Sequence, residues 1–354
     1  MRRLTLAVSW LCDCRCQMCG IWKIYAGDPG GHRREMPASE TLRLLAEAES
    51  LRSLETITFT GGEPFIHKEF ATLGTTLAAR FPRAQLDVTT TGQATAAIQE
   101  RLEAMRRGGA DLRRMHVSVS LDGIGEQHDA IRGRAGAFDR AMRTVAMLRT
   151  LPLGGVALGF TILPANHGRL REAYRLSVAE GVGFTMRAAH FNPGFYANAD
   201  AADEHRWTAE ALSSVEASVR AIIDDKRRRR GVARLLFGSD LYFAEQMLEY
   251  LRAPRRLMPC YSGTHSAVID PHGNVAPCVN LEQSMGSARE QGFDAVWRSR
   301  DADEIRRFIA DARCHCWTEC ESYLSFHTSP RYLLYNLDAL RRRVAGPAPC
   351  PEPV

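Results

Sequence analysis

Along the first half of the chain, short runs of alternating or continuously apolar residues recur, separated by longer stretches with apolar positions three or four apart. The runs Leu4–Trp10, Thr56–Thr60, Leu86–Thr90, Met115–Leu121, Val156–Leu163 and Gly183–Arg187 read as strands. Between them the spacing is helical. Leu44, Ala48 and Leu51 make one face behind Pro37 and Ser39; Phe70, Leu73 and Leu77 make a second; Ile98, Leu102 and Met105 make a third, ended by Gly108-Gly109. Phe138, Met142 and Val145, then Leu170, Tyr174 and Val178, continue the series. Six βα units imply a parallel α/β sheet with right-handed crossovers. A partial barrel and a doubly wound sheet fit this periodicity equally. In both, ligands gather at the carboxyl ends of the strands.

Beyond these units the pattern changes. From about 205 to 250 it is helical, with Leu212, Val215, Val219 and Ile222 on one face; from 258 to 325 it is short-looped and rich in cysteine. The expected division is a barrel-like body over 1–195, a helical connector over 196–257, a cysteine-rich extension over 258–325, and a terminal helix and tail over 326–354. The extension is expected to be held by bound metal more than by its own core. Gly346-Pro347-Ala348-Pro349 suggests a disordered tail.

Of 354 residues, 45% are hydrophobic and 25% charged, which excludes disorder of the whole chain, a collagen-like repeat and a coiled-coil rod. No apolar run approaches the roughly 20 residues of a membrane span. The basic, then apolar, N-terminus lacks a cleavage site of signal-peptide type and reads as a first strand, so a cytoplasmic location is expected. Net charge is +5, with the excess in runs such as Lys226–Arg230 and Arg341–Arg343. No aromatic residue is interleaved with the first run, so it reads as the solvated end of a helix and not as a nucleic-acid contact.

The ten cysteines are segregated: Cys12, Cys14, Cys16 and Cys19, then none until Cys260, Cys278, Cys314, Cys316 and Cys320, with Cys350 near the end. Clusters of this kind in a large chain without secretory features suggest metal and not a disulfide framework. The first group follows the first strand directly. Its thiols are compatible with a closed zinc site. The spacing C-x3-C-x2-C, which passes over Cys14, favours instead three irons of a [4Fe-4S] cluster with the fourth left open.

A second motif, Gly61-Gly62-Glu63-Pro64, stands at the end of the second strand. Its glycines let the backbone approach a ligand closely, and its carboxylate is suited to an amine; in isolation it would read as a tight turn. Placed after C-x3-C-x2-C on the preceding strand, it resembles the radical S-adenosylmethionine (SAM) superfamily. Ser118-Val119-Ser120-Leu121-Asp122-Gly123, His128-Asp129 and Ile131-Arg132-Gly133 resemble the fourth βα unit of members carrying an auxiliary-cluster domain. In the extension, Cys260 and Cys278 frame C-x12-G-x4-C around a hairpin at Ala267–Val275, and Cys314-His315-Cys316-Trp317-Thr318-Glu319-Cys320 follows. This resembles the SPASM and twitch extensions of that superfamily.

The resemblance implies a partial (β/α)6 TIM-like barrel with a small auxiliary-cluster extension. Cys12, Cys16 and Cys19 would hold a [4Fe-4S] cluster whose open iron binds SAM. One electron then yields methionine and a 5′-deoxyadenosyl radical that takes hydrogen from substrate. Gly61, Gly62 and Glu63 would meet the methionine amine, and Ser120 and Arg132 its carboxylate or the ribose. Thr91, where relatives often have Asn, is a further ribose candidate. Cys260, Cys278, Cys316 and Cys320 would hold one auxiliary [4Fe-4S] cluster, with Cys314 or Cys350 as substitutes. An external electron donor such as flavodoxin or ferredoxin is implied. A sugar, aminocyclitol or nucleotide-type small molecule is the expected substrate, because the first strand begins near residue 4 and leaves no room for a leader-binding or cobalamin-binding domain. A ribosomal peptide is the alternative substrate, and a zinc-stabilised binding module the non-enzymatic one. No substrate-side catalytic residue is assignable from the sequence.

Overall fold

The structure is a computed structural model that describes residues 1–229, 238–326 and 328–344. Cys350, the proline-rich tail and Arg230 of the basic run lie outside the described residues. Six parallel strands follow the expected alternation: β1 (Arg3–Ser9), β2 (Thr56–Gly61), β3 (Gln85–Thr90), β4 (Met115–Ser120), β5 (Gly155–Ile162) and β6 (Gly183–Ala188). They are neighbours in chain order. The connecting helices are α1 (Ala38–Glu47), α2 (Phe70–Arg80), α3 (Thr95–Arg107), α4 (Glu126–Arg132), α5 (Ala137–Leu148) and α6 (Leu170–Ala179). Two longer helices follow, α7 (Ala209–Arg229) and α8 (Ser239–Arg252). No described helix is long and apolar enough to cross a membrane.

Strand register sorts the side chains by face. Leu4 lies beside Ile57, Leu6 beside Phe59, Val88 beside Val117 and Phe160 beside Met186; all are buried. The alternate positions are small and polar: Thr5 beside Thr58, Thr89 beside Ser118, Ser120 beside Gly159 and Thr161 beside Arg187. With period two, one face of every strand is apolar and the other is not. Thr5 of the first strand and Thr161 and Arg187 of the last two line one cavity, so the sheet curls around it with its polar face inward. This decides between the two architectures that periodicity left open. Helix boundaries moved modestly: Leu51 falls in a separate 3-10 turn, and the buried face of α5 is Ala141, Val145 and Leu148, with Phe138 and Met142 at its margin.

The extension departs from expectation. Its hairpin, β7 (Ser266–Ile269) and β8 (Asn274–Ala276), is present, and β9 (Gly286–Ser287) adds a third strand. But β7 pairs in parallel with β1, from Arg3 beside Ser266 to Leu6 beside Ile269, so one nine-stranded sheet runs through both regions. Short helices α9 (Ala288–Gln291) and α10 (Phe293–Trp297), then α11 (Arg300–Ala310), α12 (Glu319–Phe326) and α13 (Pro330–Val344), complete the fold. Phe293, Val296, Trp317 and Phe326 join the same apolar core as the barrel strands. The extension is therefore anchored by backbone pairing and apolar burial, not by metal alone.

Candidate radical site and auxiliary cluster cavity

The chain leaves β1 at Ser9, where the register with β2 slips, and enters the cysteine loop. Glu35 fixes this exit: it accepts from Ser9 Oγ at 2.8 Å, Trp10 N at 2.7 Å and Tyr25 Oη at 2.8 Å. Tyr25 Oη also lies 3.1 Å from His272 Nε2 in the hairpin turn, tying the loop to the extension. The end of β2 is pressed against the same exit. Gly61 has φ +119°, and a Cβ on Gly62 would stand 2.1 Å from the Leu11 carbonyl oxygen, so no larger residue fits there.

Cys12, Cys14, Cys16 and Cys19 line the barrel cavity together with Gly61, Gly62, Thr91, Ser120 and Arg132. The cavity encloses about 1290 Å³, including its open mouth. The loop after β6 closes over the cysteines: Gly20 N donates to Tyr196 O at 2.8 Å, and Asn198 Nδ2 to Met18 O at 2.7 Å.

Burial pushes the Cys12 thiol up and raises Cys19 to about 12. Cys16 is held below the ordinary thiol range, first by a hydrogen bond from Cys14 and then by Arg132. Arg132 Nη1 stands 3.5 Å from Cys16 Sγ, while its Nη2 pairs with Asp122 at 2.6 Å in near-complete burial. Soft thiols on one cavity, with a buried cation against one of them, form a donor set that fits an iron–sulfur cluster.

Three cofactor candidates sit otherwise than expected. Glu63 does not line the cavity. It is 1% exposed and accepts from Phe65 N at 3.1 Å, Thr90 Oγ1 at 2.9 Å and Thr91 N at 2.6 Å. Burial, and then Asp13, raise its carboxyl to about 7. Thr91 faces the cavity, but its hydroxyl lies between Asp13 Oδ1 at 2.9 Å and Glu63 Oε2 at 2.8 Å. Arg132 is likewise committed to Asp122 and Cys16. The local sequence gave no sign of these partners, which come from other strand ends.

The second group divides. Cys260, Cys278, Cys314 and Cys316 line a separate cavity of about 660 Å³, with Trp317 and Glu321. Arg256 Nη2 lies 3.3 Å from Cys314 Sγ, so this cavity too has a cation against one thiol. Glu321 Oε2 accepts from Ser262 at 2.6 Å and Ser266 at 2.7 Å. Burial raises Cys316 to about 12. Cys320, expected here, lines the barrel cavity instead, and Cys314 takes the place beside the other three. The reason is helical geometry: Cys320 is the second residue of α12, turned away from Glu321. The donor set of four thiols again fits a cluster. Among the described residues, no three His, Cys, Asp or Glu side chains converge as a single metal ion would require.

Two residues were missed by sequence reasoning. Arg187, the penultimate residue of β6, lines the barrel cavity; Glu319, from the extension, meets its Nη1 at 3.3 Å. Arg187 stands at a strand's carboxyl end, which was a usable signal, whereas its partner lies 132 residues away.

Comparison with known proteins agrees with this architecture. Residues 10–176 match the radical SAM superfamily, and residues 260–321 match the SPASM iron–sulfur cluster-binding domain. The chain is a radical SAM enzyme with a SPASM auxiliary-cluster domain. Pre-heme d1 synthase of Dinoroseobacter shibae is 25% identical over 316 residues, covering 84% of this chain and 73% of its own. GTP 3′,8-cyclase of Rhodococcus opacus is 26% identical over 218 residues, covering 61% and 56%. The structure of Streptococcus suis SuiB bound to its precursor peptide SuiA superposes with a TM-score of 0.61 at 14% identity, covering 86% of this chain and 66% of that one.

Proposed function

We propose that this enzyme cleaves SAM at a cluster held by Cys12, Cys16 and Cys19 and removes a hydrogen atom from a small molecule of sugar, aminocyclitol or nucleotide type. The observation that carries this reading is the convergence of those thiols and the Gly61-Gly62 edge on one cavity at the carboxyl ends of the strands. When bound, the cluster supplies the electron that splits the SAM sulfonium and so generates the 5′-deoxyadenosyl radical. The chain's own part is positioning. Gly61 and Gly62 present bare backbone to the methionine amine, and Ser120 presents a hydroxyl to the carboxylate or ribose. Arg132 steadies the thiolate of Cys16. Glu63 and Thr91 hold the ends of β2 and β3 together, so their effect on SAM is through that backbone. The loop after β6, latched to the cysteine segment at Gly20 and Met18, forms part of the cavity wall through Tyr196 and Asn198, and a cavity of about 1290 Å³ is in keeping with a small substrate. For the second cluster, the four thiols on one cavity support Cys260, Cys278, Cys314 and Cys316 as its ligands.

The test is anaerobic incubation of iron-reconstituted protein with SAM and a strong reductant, followed by measurement of 5′-deoxyadenosine. Cys12→Ala, Cys16→Ala and Cys19→Ala should each abolish its formation, while Cys14→Ala should retain a substantial part. Undiminished formation by any of the first three would remove that cysteine from the cluster. Stimulation of turnover by a metabolite fraction supports the small-molecule reading; stimulation by a peptide fraction alone overturns it.

A further inference from the structure

The inner face of the barrel is mostly hydroxyl-bearing and neutral, which makes its cations conspicuous. Among the described residues lining the cavity, three side chains can carry positive charge: Arg132, Arg187 and His190. Arg132 is committed to Asp122 and to Cys16. His190 bonds through Nε2 to the Trp317 carbonyl at 2.9 Å, and burial lowers its basicity. Arg187 differs from both. Its guanidinium makes one long contact, Nη1 to Glu319 Oε2 at 3.3 Å, and its side chain is 27% exposed, against 9% for Arg132.

A guanidinium carries five N–H donors in a planar fork, so most of those on Arg187 remain unused. A cation drawn out of bulk water with unused donors is poorly compensated. The group that best completes it is a two-oxygen anion received by parallel hydrogen bonds. Space for such a group is present. Arg187 lines the barrel cavity of about 1290 Å³ together with the short hydroxyl side chains of Thr58, Thr60, Ser120 and Thr161.

The geometry points to Arg187 as the anchor for a carboxylate or phosphate group on the substrate, with Glu319 as the counter-ion that holds the fork until that group arrives. The inference rests on the proposed reaction and names the chemical class of its substrate. It also gives the extension a part in substrate binding, because Glu319 opens α12.

The test uses holoenzyme saturated with SAM and two probes, tricarballylate for the carboxylate and inorganic pyrophosphate for the phosphate, titrated calorimetrically. Wild type should bind at least one, and the preferred probe identifies the source of the anion. Arg187→Gln should weaken that binding by about tenfold or more, the loss of a charge-assisted pair of bonds. Arg187→Lys should be intermediate, since a point charge replaces a fork. Glu319→Gln should tighten binding several-fold by removing the competing carboxylate. Opposite effects of the two single variants are the signature, because a merely structural ion pair would lose stability in both and alter affinity in neither. If Arg187→Gln folds poorly, Arg187→Gln/Glu319→Gln, which keeps the site neutral, is compared with Glu319→Gln instead. Failure of either probe to bind wild type, or equal affinities in the variants, overturns the assignment. So does a parallel loss of SAM affinity in Arg187→Gln, which would give the guanidinium to the carboxylate of SAM. Formation of 5′-deoxyadenosine by wild type is read separately, so failure of the proposed reaction and failure of the anchor remain distinguishable.

Discussion

Glu63 sits where the ends of β2 and β3 meet, and its carboxylate is shared among Phe65, Thr90 and Thr91 instead of facing the cavity. Its carboxyl, raised from an ordinary 4.5 to about 7, has a consequence for stability. Between those values the folded chain holds a proton that the unfolded chain releases, so this residue's contribution falls as pH rises through the window and is constant above it. Urea titrations of the metal-free protein should show the advantage of wild type over Glu63→Gln to be larger at pH 5 than at pH 7.5, by about 2–3 kcal/mol. An equal advantage at both values would mean that the carboxyl titrates normally. The cysteines of the extension offer a second check at this scale. Cys314→Ser should lower iron content by about four per chain, one cluster's worth, whereas Cys320→Ser should leave it unchanged. The reverse result would restore Cys320 as a ligand.

At the scale of elements, the strands were legible because each writes its two faces locally, as in Thr5-Leu6 or Thr58-Phe59-Thr60. The motifs were legible because C-x3-C-x2-C and Gly61-Gly62 each follow one strand directly. What stayed hidden depends on contacts between distant segments: the pairing of β7 with β1, the division of Cys314 from Cys320, and the partners of Glu63, Arg132 and Arg187. No local pattern announces that Arg3 will lie beside Ser266. That pairing makes its own prediction. If β7 is a strand of the barrel sheet, its amides should not depend on the second cluster. Hydrogen exchange at Ala267–Ile269 should therefore remain slow in metal-free protein, while residues near Cys314 and Cys316 exchange faster. Rapid exchange throughout β7 would mean that metal, and not sheet pairing, organises the extension.

Across the whole molecule, charge is largely neutralised in place and the two cysteine sites share one wall. The basic run at the end of α7 pairs internally, Lys226 with Asp240, Arg227 with Glu245 and Arg229 with Asp225. The wall is the segment Cys316–Glu321. Cys316, Trp317 and Glu321 face the auxiliary cavity, while Thr318, Glu319 and Cys320 face the barrel cavity. Trp317 braces the wall, stacking on Phe243 at 5.5 Å and donating from Nε1 to the Phe243 carbonyl at 2.9 Å. Its brace is protein and not metal, so loss of the auxiliary cluster should loosen the wall without destroying the barrel. Cys278→Ala should accordingly lose about four irons per chain yet continue to form 5′-deoxyadenosine in the absence of substrate, since the barrel thiols are untouched. Substrate-dependent turnover should fall much further, because Glu319 and Cys320 reach the cavity from that wall. Circular dichroism of the variant guards against general unfolding. If 5′-deoxyadenosine formation were lost together with the iron while the fold remained, the two sites would be linked through more than their shared wall, and the barrel cluster would depend on its neighbour for assembly or reduction.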